Sequence, residues 1–257
     1  MVLIDHPLCL FFSLFLVLLV VVETGFRLRA LTAVDTNAER HEQIVGTRDS
    51  ILVLLSLLLG FTLAMALTRY DLRKQLLVDE ANAVGTTGLR AQMLPEPARS
   101  RIMELLRQYA SNRLSFYTAG PHAREIEAPL THSKQLQNAL WQQAVTVAQQ
   151  NPTPITSIFI SSLNEMIDLS EKQLASLENR IPLSIWIMLL LISLLACLTV
   201  GYAMRIRFLL SMVVPPLMIA IVVALTADLD SPRSGTIRVG QQSMERVQSD
   251  LNKPPAD

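Results

Sequence analysis

Four apolar segments without a charged residue restrict what this 257-residue chain can fold into: residues 8–22, 51–68, 183–204 and 208–227. A helix that crosses a bilayer needs roughly 20 mostly apolar residues, with about 17–25 as the usual range. The last three segments meet this length and predict transmembrane helices. The composition fits that class, since 51% of the residues are hydrophobic and only 17% are charged.

The first segment is shorter and has two interpretations, a retained membrane anchor or a cleaved signal peptide. A signal peptide begins with basic residues and ends at a cleavage site of small residues. Here the chain starts with MVLIDHP, which carries no lysine or arginine, and Glu23 and Arg27 follow the apolar segment. This pattern favours a retained anchor, so we expect four spanning helices.

A more polar segment, residues 69–182, separates the second and third spans. Apolar residues recur in it at helical spacing, and no alternating strand pattern competes. The first of four expected helices continues the second span until Gly85 or Gly88 ends or kinks it. The second follows the proline turn at residues 95–97, and the others cover residues 133–150 and 155–180. The predicted fold is an all-α integral membrane protein, with a helical extramembrane domain inserted between the second and third of four transmembrane helices.

The predicted domain boundaries follow from these segments. Residues 1–68 hold the first two transmembrane helices with their connecting loop, and residues 69–182 form the helical extramembrane domain. Residues 183–230 hold the third and fourth transmembrane helices, and residues 231–257 are a polar C-terminal tail. Cytoplasmic loops carry an excess of lysine and arginine. Basic residues near the membrane ends number eight on one face and six on the other, so charge leaves the orientation open.

Composition and motifs exclude several classes of function. A formal net charge of zero without a basic patch gives no reason to expect nucleic-acid binding. Cys9 and Cys197 lie inside apolar segments, and the four histidines are scattered without a metal-binding motif. The spans contain no paired acids and no catalytic dyad. We therefore expect no catalytic residue, no metal site and no cofactor, and we do not expect an enzyme.

Small and hydroxyl residues recur at every fourth position of the second span: Ser56, Gly60, Ala64 and Thr68. Residues at this spacing lie on one face of a helix, and we call this face the small-residue stripe. One interpretation is close packing against another helix, since small residues let helix backbones approach each other in lipid. The other is the wall of an ion pore, where small side chains leave space for ions. The spacing alone leaves both interpretations open.

Bulky and basic residues near the stripe extend the pore interpretation. Leu57, Phe61 or Leu63 would form an apolar neck that gates by dewetting. Arg69 and Arg73 follow the span, and in an oligomer they would form a vestibule that attracts anions. An arginine that snorkels to the lipid headgroups is the alternative explanation of Arg69.

The sequence ADLDSPRSG directly follows the fourth span. Asp228 and Asp230 suit an exit from the membrane, and Pro232 and Gly235 suit a turn that stops the helix. A calcium site is the alternative, but calcium takes roughly six to eight oxygen ligands, and two carboxylates supply few of them. The motif therefore favours a membrane exit.

Four stretches of the chain resemble the bacterial bestrophin-like membrane family, whose function is mostly unassigned. They are LLGFTLAMALTRYDLRKQLLVDEANAVGT at residues 58–86, LRQYASNR at 106–113, the stretch around 201–207, and DLDSPRSGTIRV at 228–239. Together with the order of the spans, they cover most of the chain after residue 50. The first and last stretches are the specific ones.

The resemblance implies a fold and a function. True bestrophins are pentameric anion channels, some bacterial relatives pass cations, and the second span lines their pore. By this resemblance the chain is a homo-oligomeric ion channel, a pentamer, that passes small monovalent ions, with anions favoured. It would be a multi-pass protein of the bacterial inner membrane, in contact with lipid, with its helical domain in the cytoplasm. The acidic run of the calcium clasp in animal bestrophins is absent here, so no calcium regulation is implied.

A non-conducting membrane scaffold or signalling subunit is the alternative function. Its helical domain would bind a soluble partner, and the small-residue stripe would only pack helices. Subunits arranged without a central water path would favour this function over a channel.

Overall fold

The computed structural model describes residues 6–32, 38–120 and 123–253, and every regular element in these ranges is an α-helix. The described residues form eight helices. In chain order these are α1 (Pro7–Leu31), α2 (Ala38–Ala91), α3 (Ala98–Thr118), α4 (Ala123–Gln150), α5 (Pro154–Glu178), α6 (Leu183–Ala203), α7 (Leu209–Asp230) and α8 (Gln242–Asn252). The expected all-α class is confirmed.

Four helical segments of the described chain are long and apolar enough to cross a bilayer. They are Pro7–Leu31, Glu39–Ala91, Pro154–Ala203 and Leu209–Asp230. Their most apolar windows have mean hydropathies between 2.4 and 2.6. The first segment, short in the sequence pattern, becomes a helix of 25 residues because it extends past Glu23 to Leu31. The four expected apolar helices are therefore present.

The chain divides into two compact units. We call Met1–Tyr70 with Arg180–Ile237 the membrane unit, and Asp71–Asn179 with Arg238–Asp257 the helical unit. The end of the chain differs from the expected polar tail, because α8 belongs to the helical unit and buries Met244 and Leu251.

The membrane unit is held by a close crossing of α1 and α6. A Cβ added at Gly25 would lie 2.1 Å from the carbonyl oxygen of Leu198, and one added at Gly201 would lie 1.9 Å from the carbonyl oxygen of Val22. Neither position has room for a side chain, so the two backbones are in direct contact. Lipid supplies no hydrophobic force between helices, and close contacts of this kind supply the packing attraction instead. No motif in the sequence distinguishes these two glycines.

An apolar core fills the helical unit, with members from α2, α3, α4, α5 and α8. The helix α2 does not end at Gly85 or Gly88 but continues to Ala91. Gly88 instead admits α8: a Cβ there would lie 2.5 Å from Cδ2 of Leu251. A glycine in a helix costs roughly 1 kcal/mol relative to alanine, and here the close packing of α8 explains its presence.

We expect Gly201→Ala to lower the thermal midpoint of the detergent-purified protein. The added methyl group would overlap the backbone of α1, and overpacking of this kind costs about 1–3 kcal/mol. Gly46→Ala is the matched control, because nothing lies within 4 Å of a Cβ at Gly46. The control should leave the midpoint unchanged or raise it. Equal midpoints for the two variants would contradict the close crossing.

Candidate pore helix and membrane-exit motif

The small-residue stripe of α2 faces away from its own chain. Ser56, Gly60, Ala64 and Thr68 are all exposed, and nothing lies within 4 Å of a Cβ placed at Gly60. The four residues therefore do not serve close packing against another described helix of the same chain. In the assembled protein the stripe therefore faces another subunit, lipid or water.

The opposite face of α2 packs into the membrane unit. Leu55, Leu59, Thr62 and Ala66 are buried there, at spacings of three and four residues that place them on one side of the helix. Leu55 and Leu59 join the apolar cluster that also contains residues of α1, α6 and α7. The second span thus has one packed face and one free face.

The hydroxyl groups of the stripe donate to their own helix. Ser56 Oγ donates to the carbonyl oxygen of Val53 at 2.8 Å, and Thr68 Oγ1 donates to that of Ala64 at 2.9 Å. A hydroxyl has one donor and two acceptor lone pairs. The donors are occupied within α2, so the oxygen atoms present acceptors on the exposed side.

The bulky candidates near the stripe differ in exposure. The exposed fraction is 53% for Leu57 and 65% for Phe61. Leu63 is partly buried and packs against the cluster of Ala66 and Leu229. Leu57 and Phe61 are therefore available at the free face, whereas Leu63 is partly engaged within the chain.

The two predicted vestibule arginines are not equivalent. Arg69 is partly buried, and its Nη2 lies 4.0 Å from Sδ of Met65. Arg73 belongs to the helical unit and is only 2% exposed. A side chain that lines an aqueous vestibule must reach water, so the burial of Arg73 argues against that role for it.

The carboxylates of the membrane-exit motif bind backbone groups. The backbone N–H of Thr236 donates to Asp228 Oδ1 at 2.6 Å, and the hydroxyl of Thr236 donates to Asp228 Oδ2. The backbone N–H of Ile181 lies 3.1 and 3.2 Å from the two oxygens of Asp230. A Cβ at Gly235 would lie 2.3 Å from Asp228 Oδ1, so the turn requires glycine there.

The motif therefore fastens the end of α7 to the start of α6 and to the turn that contains Pro232. Both aspartates are buried, and their oxygen atoms accept hydrogen bonds from the protein. Within the described ranges, no group of three or more histidine, cysteine, aspartate or glutamate side chains is placed to hold a metal ion. The helix α7 ends at Asp230, directly before this turn, and the exit from the membrane at this point stays a prediction.

A buried ion pair in the helical unit was not identified from the sequence. Arg113 of α3 contacts Glu80 of α2 through Nε at 2.6 Å and Nη2 at 2.8 Å, and both side chains are at most 2% exposed. The hydroxyls of Tyr109 and Tyr117 also donate to the Glu80 carboxylate. Arg113 lies 33 positions from Glu80 in the sequence, and no spacing rule connects the two.

The surroundings of this ion pair keep its phenols neutral. Burial, and then the negative charge of Glu80, raise the pKa of Tyr109 and of Tyr117 above the usual tyrosine value. Burial is the largest single effect on the pKa of Arg113 and lowers it, but the Glu80 carboxylate together with the two phenols raises that pKa above the usual arginine value. The Glu80 carboxylate and the Arg113 guanidinium therefore face each other in the interior of the helical unit.

Comparison with known proteins assigns the chain to a family. A family model described as the Bestrophin-like domain matches residues 11–244. The chain belongs to the Bestrophin-like family. This confirms the resemblance drawn from the sequence. No curated protein matches this chain.

Solved structures share the fold of this Bestrophin-like protein. One is a crystal structure of a variant of a bacterial bestrophin homologue from Klebsiella pneumoniae, with 14% identity and a TM-score of 0.67, covering 91% of this chain and 96% of that one. A second variant of that homologue has 12% identity and a TM-score of 0.69, covering 94% and 95%. A third, described as a membrane protein, has 14% identity and a TM-score of 0.64, covering 93% and 97%. At these identities the likeness concerns the fold alone.

We expect Arg113→Met to destabilise this Bestrophin-like protein strongly. The substitution leaves the Glu80 carboxylate buried without its cation, which costs about 3–5 kcal/mol. The thermal midpoint of the full-length protein measures the effect. Arg99→Met is the control, since Arg99 pairs with Glu96 at the surface, and it should change the midpoint little.

The double variant Glu80→Gln/Arg113→Met separates the charge from the packing. It removes both buried charges, so it should be more stable than Arg113→Met alone. A double variant that unfolds at or below the midpoint of the single variant would show that the ion pair is not what the Arg113 substitution disrupts.

Proposed function

We propose that this protein is a homo-oligomeric ion channel of the bacterial inner membrane, with a pore lined by α2. The small-residue stripe is the main support for this proposal, because it lies on the face of α2 that its own chain leaves uncovered. In a ring of subunits, this uncovered face of α2 would line the central axis. The resemblance to bestrophins supports five subunits.

Ser56, Gly60, Ala64 and Thr68 would then form the pore wall. Leu57 and Phe61 would form the neck, since their apolar side chains are exposed beside the stripe and a narrow apolar ring can close a pore by dewetting. Leu63 would support the neck from its partly packed position.

Arg69 would stand at the mouth of the pore and raise the local concentration of anions. We therefore propose small monovalent ions as the conducted species, with anions favoured. The burial of Arg73 leaves that residue out of the proposed vestibule.

The helical unit would be an extramembrane domain inserted between the second and third spans and located in the cytoplasm. Its apolar core is built from helices that also carry many charged residues. The four apolar helices would contact lipid and neighbouring subunits.

A non-conducting scaffold is the second candidate, and the same exposed stripe supports it. Small residues that find no partner within the chain can pack against a copy of the chain. The hydroxyl groups of the stripe already donate to carbonyl oxygens of α2. They would therefore need no water as an acceptor when the stripe is buried between two subunits.

Current across a planar bilayer containing the purified oligomer distinguishes the two functions. We expect wild-type current with a reversal potential in a salt gradient that indicates anion preference. Phe61→Ala should raise the current because it widens the neck, and Gly60→Leu should block it because a large side chain would fill the axis. Gly46→Leu is the matched control on the same helix, also at an exposed glycine, and should conduct as wild type does.

The contrary result is equally specific. No current from wild type or from Phe61→Ala, with protein shown to be intact and oligomeric, would favour the scaffold. Equal effects of Gly60→Leu and Gly46→Leu would contradict a pore lined by the stripe.

A further inference from the structure

A small cavity lies among α1, α6 and α7 of the membrane unit. Its volume is about 140 Å³. The walls include Leu14 of α1, Val223 of α7, and Trp186, Leu189 and Ser193 of α6. Ser193 carries the one hydroxyl group among the lining side chains, and the others are leucine, valine or tryptophan. The cavity lies outside the small-residue stripe and is not needed for the proposed channel.

The hydroxyl group of Ser193 is the exception in this lining. Ser193 is 1% exposed, and its Oγ has no hydrogen-bond partner among the described residues. Other hydroxyls in the apolar helices donate to the preceding turn, as Thr62 does to the carbonyl oxygen of Leu58 and Thr199 to that of Leu195. A buried hydroxyl without a partner is unfavourable in apolar surroundings. Ser193 therefore has an unused donor beside an apolar space.

The size of the cavity suits one six-membered ring. An apolar protein cavity of about 150 Å³ is large enough to bind benzene. Leu190, which also lines the cavity, is 45% exposed, so the space lies next to the outer surface of the helix group. A ligand dissolved in the bilayer can therefore reach it without crossing the protein core.

The depth of Ser193 restricts the ligand further. The residue lies at the middle of α6, which runs from Leu183 to Ala203, so it is about 15 Å from either end of the helix. That distance is about half the hydrocarbon thickness. At this depth a lipid acyl chain has no oxygen that can accept a hydrogen bond from Ser193, whereas a small ring with one oxygen supplies such an acceptor.

We propose that this cavity is a binding site for a monocyclic phenol that partitions into the bilayer. The ring packs against Leu14, Leu189 and Val223. The phenolic oxygen accepts a hydrogen bond from Ser193 Oγ. A pocket of this kind is mostly apolar, with one polar group that fixes the orientation of the ligand.

Trp186 provides the readout, because it lines the cavity and the chain has only one other tryptophan, Trp141. In a Trp141→Phe background, 4-bromophenol is titrated into the full-length protein in lipid nanodiscs, and its bromine quenches the fluorescence of Trp186. We expect saturable quenching that unbrominated phenol reverses by competition. Val223→Phe fills the cavity and should remove the saturable part.

Ser193→Ala tests the hydrogen bond. It should weaken the binding of 4-bromophenol about five-fold, as expected for the loss of one hydrogen bond, and leave bromobenzene binding unchanged. Ser184→Ala, an exposed position on the same helix, is the control and should change neither. Circular dichroism and gel filtration establish that each variant is folded.

Three results would overturn the proposal. Quenching that rises linearly and identically in wild type and Val223→Phe would mean that the quencher acts only from the lipid. Saturable quenching that survives Val223→Phe would place the ligand elsewhere. Equal weakening of bromophenol and bromobenzene by Ser193→Ala would show that Ser193 shapes the cavity without donating to a ligand.

Discussion

The contact between the backbones of α1 and α6 at Gly25 and Gly201 is the constraint on which the membrane unit depends. In lipid, helices associate through close packing because no hydrophobic force draws them together. Each glycine lies against a carbonyl oxygen of the partner helix, so the crossing is reciprocal. With α1 and α6 fixed, and α7 joined to the start of α6 by Asp230, the apolar cluster that receives one face of α2 is complete. The other face of α2 remains uncovered.

The helical unit depends on a different interaction. Its core is apolar and closed by α8 over Gly88, but it contains one ion pair, between Glu80 and Arg113, that is almost fully buried. A buried pair gives weak evidence for net stability, since removing two charges from water is costly. Its geometry is strict, however, because the carboxylate also accepts from two tyrosines. The pair thus fixes the position of α3 against α2, while apolar burial supplies the driving force.

Much of the fold could be predicted from the sequence, because the backbone of a spanning segment in lipid must satisfy its own hydrogen bonds. A long uncharged segment therefore has few alternatives to a helix. Contacts between positions that are distant in the sequence could not be predicted from it. Gly25 and Gly201 are single glycines in separate helices, and Glu80 and Arg113 share no motif. Glycines such as Gly85 and Gly88 are typical of helix ends, and the sequence does not show that Val247 packs beside the first and Leu251 beside the second. For the candidate site, the spacing of the stripe identified a face of α2, but only the structure gave the burial of Arg73.

A pore along α2 requires that the free face of this helix meets water in the assembled protein. Ala64 and Ala66 test it as a pair, because they lie two residues apart, one exposed and the other buried. With Cys9 and Cys197 replaced by alanine, Ala64→Cys and Ala66→Cys are treated in liposomes with a charged, water-soluble thiol reagent, and the modified fraction is measured by mass spectrometry. We expect modification of Ala64→Cys and none of Ala66→Cys. An unreactive Ala64→Cys, in protein that is intact and oligomeric, would mean that the stripe faces lipid or another subunit, and would contradict a water-filled pore along this helix.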